Sequence, residues 1–193
     1  APVRYLDVDP MRVTPWQHLL GARTKPRIGL AWAGNPAHVR DRFRSMALES
    51  FVPLLVLRDF EWIGLQKGAA SDQIATLPPG CGILDMGRHS ETFADLAALI
   101  ELLDVVITVD TSVVHVAGAL GKPTLLLLDA AHDWRWPRSG THARWYPSVQ
   151  IVRQPSRGDW TGAIELAAEA LRRNGPELSP ATFSSRKSRA PCP

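Results

Sequence analysis

The chain has 193 residues, 45% of them hydrophobic and 21% charged, with a net charge of +3; this suits one packed domain with tails, and the charge is too mild to demand nucleic acid. Cys81 and Cys192 are too few and too scattered for a disulfide framework or a zinc site. No apolar run approaches the roughly 18 residues of a membrane span and no secretory signal opens the chain, so a reducing cytoplasm is the expected compartment.

The chain begins at Ala-Pro without Met, which fits an excised fragment. Residues 1–25 have no clear period and are expected to be a linker from an upstream domain, with Thr14-Pro15-Trp16 opening a short helix to about Leu20. The segment 26–175 is expected to form the domain. Arg27–Trp32 is a strand, and the loop Ala33–Arg44 after it ends at Ser45. Leu48–Leu57 has an apolar face for a helix, provided that Pro53 lies in its first turn. Glu61–Gln66 is a second strand with Lys67-Gly68 at its carboxyl end. Ser71–Leu77 makes a short helix before Pro78-Pro79-Gly80, and Gly82–Met86 a short third strand. Thr92-x-x-Asp95 opens a helix to Leu103 as a capping box.

Asp104 to Leu128 organises the rest. Asp104–Val109 and Thr124–Leu128 are continuous apolar runs, the pattern of parallel strands covered on both faces. Between them lie the corner Asp110-Thr111-Ser112 and a helix to about Leu120. Gly121 suits the left-handed position after that helix, and Pro123 bars its continuation. Val113, Val116, Ala117 and Leu120 should face the sheet, with Ala117, Gly118 and Ala119 allowing close approach. A long loop, Asp129–Ser148, then precedes a strand Val149–Arg153. Asp159 caps a final helix to about Arg173, which Gly175 ends. Residues 176–193, with Arg186, Lys187 and Arg189, read as a flexible tail. Alternation of about six strands with four or five helices specifies an α/β fold, an open and mostly parallel Rossmann-like sheet with helices on both faces.

In such a sheet ligands bind beyond the carboxyl ends of the strands. Thr111, Ser112 and His115 share one side of the helix that starts there, and its free N–H groups make a phosphate site. The plainer alternative is a capped helix with a surface histidine. The first loop carries Asn35, His38, Arg40, Arg42 and Arg44; its arginines can clamp a pyrophosphate or an acceptor, or be a solvated face. It has no G-x-G-x-x-G, against a dinucleotide-binding enzyme. Lys67 is either a diphosphate contact or a surface lysine. Trp134, Trp136, Trp145 and Tyr146 either border a ligand cleft or pack as a small core of their own. Asp129, His132, Asp133 and His142 have no recurring ligand spacing, so no metal is expected.

DTSVVHVAGALGKP (110–123) resembles the signature of glycosyltransferase family 9, the heptosyltransferase-like enzymes, in their donor-binding half. It is most similar to the glycosyltransferase domains that follow tetratricopeptide repeats in bacterial proteins. GLAWAGNPAHVRDRFRS (29–45), WIGLQKG (62–68), DWRW (133–136) and WYPSVQIVRQPSRGDW (145–160) resemble that subgroup too, so the likeness runs from about Arg27 to Leu171.

The resemblance implies the C-terminal half of a GT-B glycosyltransferase. It implies a nucleotide-diphosphate sugar as donor substrate, no cofactor and no metal, and an acceptor held by an N-terminal domain. Lys67, Asp110, Thr111, Ser112 and His115 would hold the donor and its phosphates, with Asp110 and His115 orienting it. Asn35, His38, Arg42, Arg44, Trp134 and Trp136 would border the cleft. No catalytic base is identified, and the 193-residue chain alone is expected to be inactive. The alternatives are a non-catalytic α/β nucleotide-binding or interaction module and a sugar-nucleotide epimerase. The sugar, base, acceptor, stereochemistry and oligomeric state are not legible.

Overall fold

Five of the six strands carry at least three buried residues, because helices cover both faces of the sheet. The computed structural model describes residues 4–174. The strands are β1 (Arg27–Ala31), β2 (Glu61–Gly64), β3 (Leu84–Asp85), β4 (Val105–Val109), β5 (Thr124–Leu128) and β6 (Val149–Arg153). All pair in parallel, in the order β3-β2-β1-β4-β5-β6. The order reverses between β1 and β4, so the loops after these strands diverge and leave a crevice.

Alternate side chains go to opposite layers. Ile28, Leu30, Val105, Ile107, Leu125 and Leu127 pack with Leu54 and Leu55 of α3 (Val52–Leu55) and Ile164, Ala168 and Leu171 of α6 (Thr161–Asn174). Ala31, Ile63 and Val106 pack on the other side, against α4 (Phe93–Glu101) and α5 (Ser112–Ala119), with Trp16 of α1 (Pro10–Leu20) in the same cluster. Leu126, Leu128 and Ile151 meet Val114, Trp136 and Ala143 in a third cluster at the β6 end.

The capping box is present: Thr92 and Asp95 exchange side-chain bonds with each other's main-chain N–H groups. The N-terminus of α5 is capped by Thr111, whose Oγ1 accepts from the Val113 N–H at 3.3 Å. At its other end Lys122 N donates to Ala117 O and Gly121 N to Gly118 O, with Gly121 at φ 67°; this is the double bond pattern that a left-handed residue permits.

Several expectations need correction. Leu48–Leu57 is not one helix but a 3-10 turn (Leu48–Phe51) followed by α3. Pro53 has no N–H for the Glu49 carbonyl, which bonds Val52 N instead, so the helix tightens and restarts. Residues Ala69–Thr76 are also 3-10, and β3 shrinks to two residues. α1 begins at Pro10 rather than Thr14, because Asp9 accepts from Met11 N and Pro10 fits the first helical position. The stretch expected as a linker therefore carries a helix docked on α4.

On α5, Val114 is fully buried and Val116 only half-buried. Gly118 faces the long loop, not the sheet: an added Cβ would stand 2.4 Å from Tyr146 Cγ. Gly175, Cys192 and the tail 176–193 lie outside the described residues.

Candidate functional site

A cavity of about 770 Å³ opens at the carboxyl ends of β1, β2 and β4, at the reversal of strand order. Four segments wall it: Ala33–Pro36 with Arg44, Leu65–Gly68, Ser90–Phe93 with Leu96, and Thr111–Val113. Its inner surface is apolar through Ala31, Leu65, Leu96 and Val113.

The frame is built from buried hydrogen bonds. Gln66, 5% exposed, accepts from Trp32 N and Ala33 N and donates to the Ala33 and Lys67 carbonyls. This locks the ends of β1 and β2 together with all of the amide's main groups used. The first loop turns through α2 (Asp41–Arg44). Buried Asp41 takes Ser45 Oγ at 2.8 Å and Arg44 Nε at 3.2 Å, while Ser45 Oγ accepts from Gly34 N. Arg44 Nη1 reaches across to the Asp110 carbonyl at 2.6 Å.

Positive potential converges on this space. The N-termini of α4 and α5 both line it, each with one main-chain N–H capped by a threonine, and each turns the positive end of a helix dipole toward it. Lys67 adds a charge, with Nζ donating to the Glu91 carbonyl at 3.3 Å, and Arg44 adds another from the opposite wall. Glu91 is the single carboxylate among the lining residues. An anion with two or more phosphate oxygens matches this arrangement, and the apolar interior suits a flat ring beside it.

Of the residues singled out from sequence, Asn35, Arg44, Lys67, Thr111 and Ser112 come together on the cavity wall. Asp110 and His115 flank it without lining it. Asp110 is buried, and its carbonyl is taken by Arg44. His115 lies on the side of α5 toward the long loop: Nδ1 is 3.1 Å from Tyr146 Oη, and the ring stacks on Trp136 at 5.6 Å and 16°. Burial lowers its pKa below the ordinary 6.5, against the raising effect of Asp110. Tyr146 is pushed up to about 12, first by burial and then by Tyr5.

His38 and Arg42 also stand off the cavity. The His38 ring accepts from Arg40 N at 3.2 Å, and Arg42 lies over Phe43 at 4.7 Å, as Arg157 does. The tryptophans divide. Trp136 is 2% exposed in the third core cluster, while Trp134 is 81% exposed; neither lines the cavity, nor does Trp145. The reason is that the loop folds back on β6: Ile151 N donates to Thr141 O and Ala143 N to Val149 O, and this buries Trp136 and covers the sheet edge. Among the described residues no group of three or more His, Cys, Asp and Glu converges as a metal site, and no helix is long and apolar enough to cross a membrane.

Sequence reasoning missed Gln66, the contact of Tyr146 with His115 and the wall Ser90–Phe93. The Thr92 capping box marked a helix start, but only the strand order brings that start beside Lys67 and opposite Thr111. Gln66 carried no signal beyond its place at the end of a strand.

Residues 90–158 match the model of glycosyltransferase family 9 (heptosyltransferase). Protein FlbA of Caulobacter vibrioides is 28% identical over 177 residues, covering 87% of this chain and 29% of its own length. Two solved structures are similar. One is E. coli ADP-heptose lps heptosyltransferase II, with TM-score 0.60, 16% identity, and coverage of 88% of this chain and 54% of that one. The other is a family 9 glycosyl transferase from Veillonella parvula, with TM-score 0.58, 13% identity, and coverage of 94% and 54%. The chain thus spans about half of these solved structures and less than a third of the FlbA chain. The heptosyltransferase-like resemblance read from the sequence is borne out, and the six-stranded parallel sheet is the Rossmann-like fold of these neighbours.

Proposed function

We propose that this chain is the donor-binding half of a family 9 glycosyltransferase, taking a nucleotide-diphosphate sugar. The observation that carries the reading is the cavity at the strand-order reversal, where two helix N-termini, Lys67 and Arg44 face one space. The diphosphate lies across Thr111, Ser112 and Lys67, and the nucleoside against the apolar interior. An acceptor hydroxyl oxygen attacks the anomeric carbon as the bond to the diphosphate oxygen breaks. The leaving diphosphate takes the electron pair, and a base outside this domain takes the hydroxyl proton. Helix N–H groups, Lys67 and Arg44 stabilise the charge that develops on the leaving oxygens, without a metal. Asp110 and His115 sit behind the α5 N-terminus and orient the donor.

In this reading residues 26–175 are the donor domain, 1–25 the connection to an acceptor domain, and 176–193 a tail. Tetratricopeptide repeats upstream and a cytoplasmic location complete it.

Thermal-shift and calorimetric titration with ADP, UDP and GDP, against the matching monophosphates and nucleosides, tests the reading. Ligand binding to the native state raises the unfolding temperature, so at least one diphosphate should do so more than its monophosphate. No response to any diphosphate at millimolar concentration would overturn it.

A further inference from the structure

We infer that Tyr146 is the positioning residue for His115, holding it as the neutral tautomer with its proton on Nε2. The inference rests on the donor-binding reading for its purpose but on independent geometry for its substance. Three contacts fix the ring. Tyr146 Oη lies 3.1 Å from Nδ1, Trp136 stacks on one face, and the Tyr146 ring stands edge-on at 5.7 Å and 60°. A hydrogen bond at one nitrogen and a stack on its face both favour this orientation of the imidazole.

Tyr146 is itself fixed from three sides. Gly118 allows its ring to lie directly on α5, where any Cβ would collide. Tyr5 stacks on it at 6.4 Å and 19°, and the strap bearing Tyr5 is tied down by Tyr5 N and Leu6 N donating to Ala119 O. Trp136 closes the third side at 6.5 Å.

The charges around the ring decide its state. Asp110 and Asp133 favour a cation, Arg135 opposes it, and burial opposes it most. A neutral imidazole has one N–H to give, and the partner at the other nitrogen sets which. The Tyr146 hydroxyl is within reach to donate to Nδ1, a stronger acceptor than a phenol oxygen, and the ring proton then stays on Nε2. Nε2, which has no hydrogen-bond partner among the described residues, then carries the N–H, on the helix whose first turn lines the cavity. The nearby Arg135 and the α5 N-terminus oppose protonation, so the fixed tautomer supplies an N–H without needing a full charge.

The test is a long-range ¹⁵N–¹H correlation of the histidine rings in the 193-residue chain, with His115→Gln identifying the His115 signals among the six histidines. Wild type should show one neutral tautomer, Nε2–H. Tyr146→Phe should give a mixture with Nδ1–H and weaken ADP or UDP binding roughly three- to tenfold, the fold equivalent of one neutral hydrogen bond. His115→Gln should lose at least as much, and the double variant no more than His115→Gln alone.

A wild-type ring in the Nδ1–H form, or one exchanging freely between forms, overturns the inference even if Tyr146→Phe does not fold. An unchanged tautomer in a folded Tyr146→Phe also overturns it. If no nucleotide binds wild type, the donor reading fails while the tautomer measurement still decides this one.

Discussion

Arg44 Nη1 donates to the main-chain carbonyl of Asp110 at 2.6 Å, tying the first βα loop to the corner from which α5 starts. Arg44 is also held by Asp41 at 3.2 Å, and Asp41 by Ser45. One guanidinium thus sets the width of the cavity at the strand-order reversal. Arg44→Ala leaves buried Asp41 without its charge partner and should cost about 1–3 kcal/mol of stability, measured by urea denaturation. Arg44→Lys keeps the charge but cannot span Asp41 and Asp110 as a fork, so it should recover only part. Full recovery by lysine would show that charge, not geometry, is what the loop needs.

Gly118 stands under Tyr146 with no room for a methyl group. Gly118→Ala gains helix propensity but must push the tyrosine ring aside. Overpacking of this kind costs about 1–3 kcal/mol, more than the roughly 1 kcal/mol that alanine returns in a helix. Net destabilisation in chemical denaturation, with a changed near-ultraviolet tyrosine signal, is the expected result. A stabilised variant would mean that the loop yields freely.

Burial holds the His115 pKa below its ordinary 6.5. Below that value the unfolded chain binds a proton that the folded ring resists, so this group's contribution is complete above pH 6.5 and is lost as pH falls toward the folded pKa. The urea midpoint of wild type should drop over that interval by more than that of His115→Gln. Parallel curves for the two proteins would show that His115 titrates as an exposed histidine.

Lys67 faces the cavity with one carbonyl contact, at 3.3 Å from Glu91. The Lys67 side chain is exposed and makes this one hydrogen bond among the described residues, so little of the fold depends on it. Lys67→Ala should leave the unfolding midpoint unchanged and weaken nucleotide-diphosphate binding by about 1–3 kcal/mol, the range of a charge-assisted contact. Equal affinity in calorimetry would remove Lys67 from the site.

Where burial alone decides, the strands were readable: Val105–Val109 and Thr124–Leu128 form as the apolar runs indicate. The Thr92 capping box and Gly121 were readable because each is a local geometric demand. What escaped depends on contacts distant in sequence. Gly118 looks like a helix–sheet contact until Tyr146, 28 residues on by their numbers, is seen to occupy the space. Trp136 and Trp134 are alike in sequence, yet a ladder between residues 141–143 and β6 buries one and leaves the other out. Lys67 and Thr111 could be placed on one edge by topology alone, whereas Ser90–Phe93 needed β3 to lie beside β2.

The 193-residue chain should bind donor and transfer nothing. In the proposed reading the strand-reversal cavity takes both the diphosphate and the nucleoside, so donor binding needs nothing beyond the described residues. Those residues form one six-stranded sheet, and they correspond to 54% of each of the two solved relatives. Transfer needs the acceptor oxygen held near the anomeric carbon, and such positioning can supply about 7–11 kcal/mol of the barrier. A donor on an open sheet edge meets only water, which is neither oriented nor deprotonated there. Incubation with sugar nucleotides and candidate acceptors, followed by mass spectrometry, should therefore show at most slow hydrolysis. Addition of a separately expressed acceptor domain should restore transfer. Multiple-turnover glycosylation by the 193 residues alone would mean that this sheet holds both substrates, and would end the half-enzyme reading.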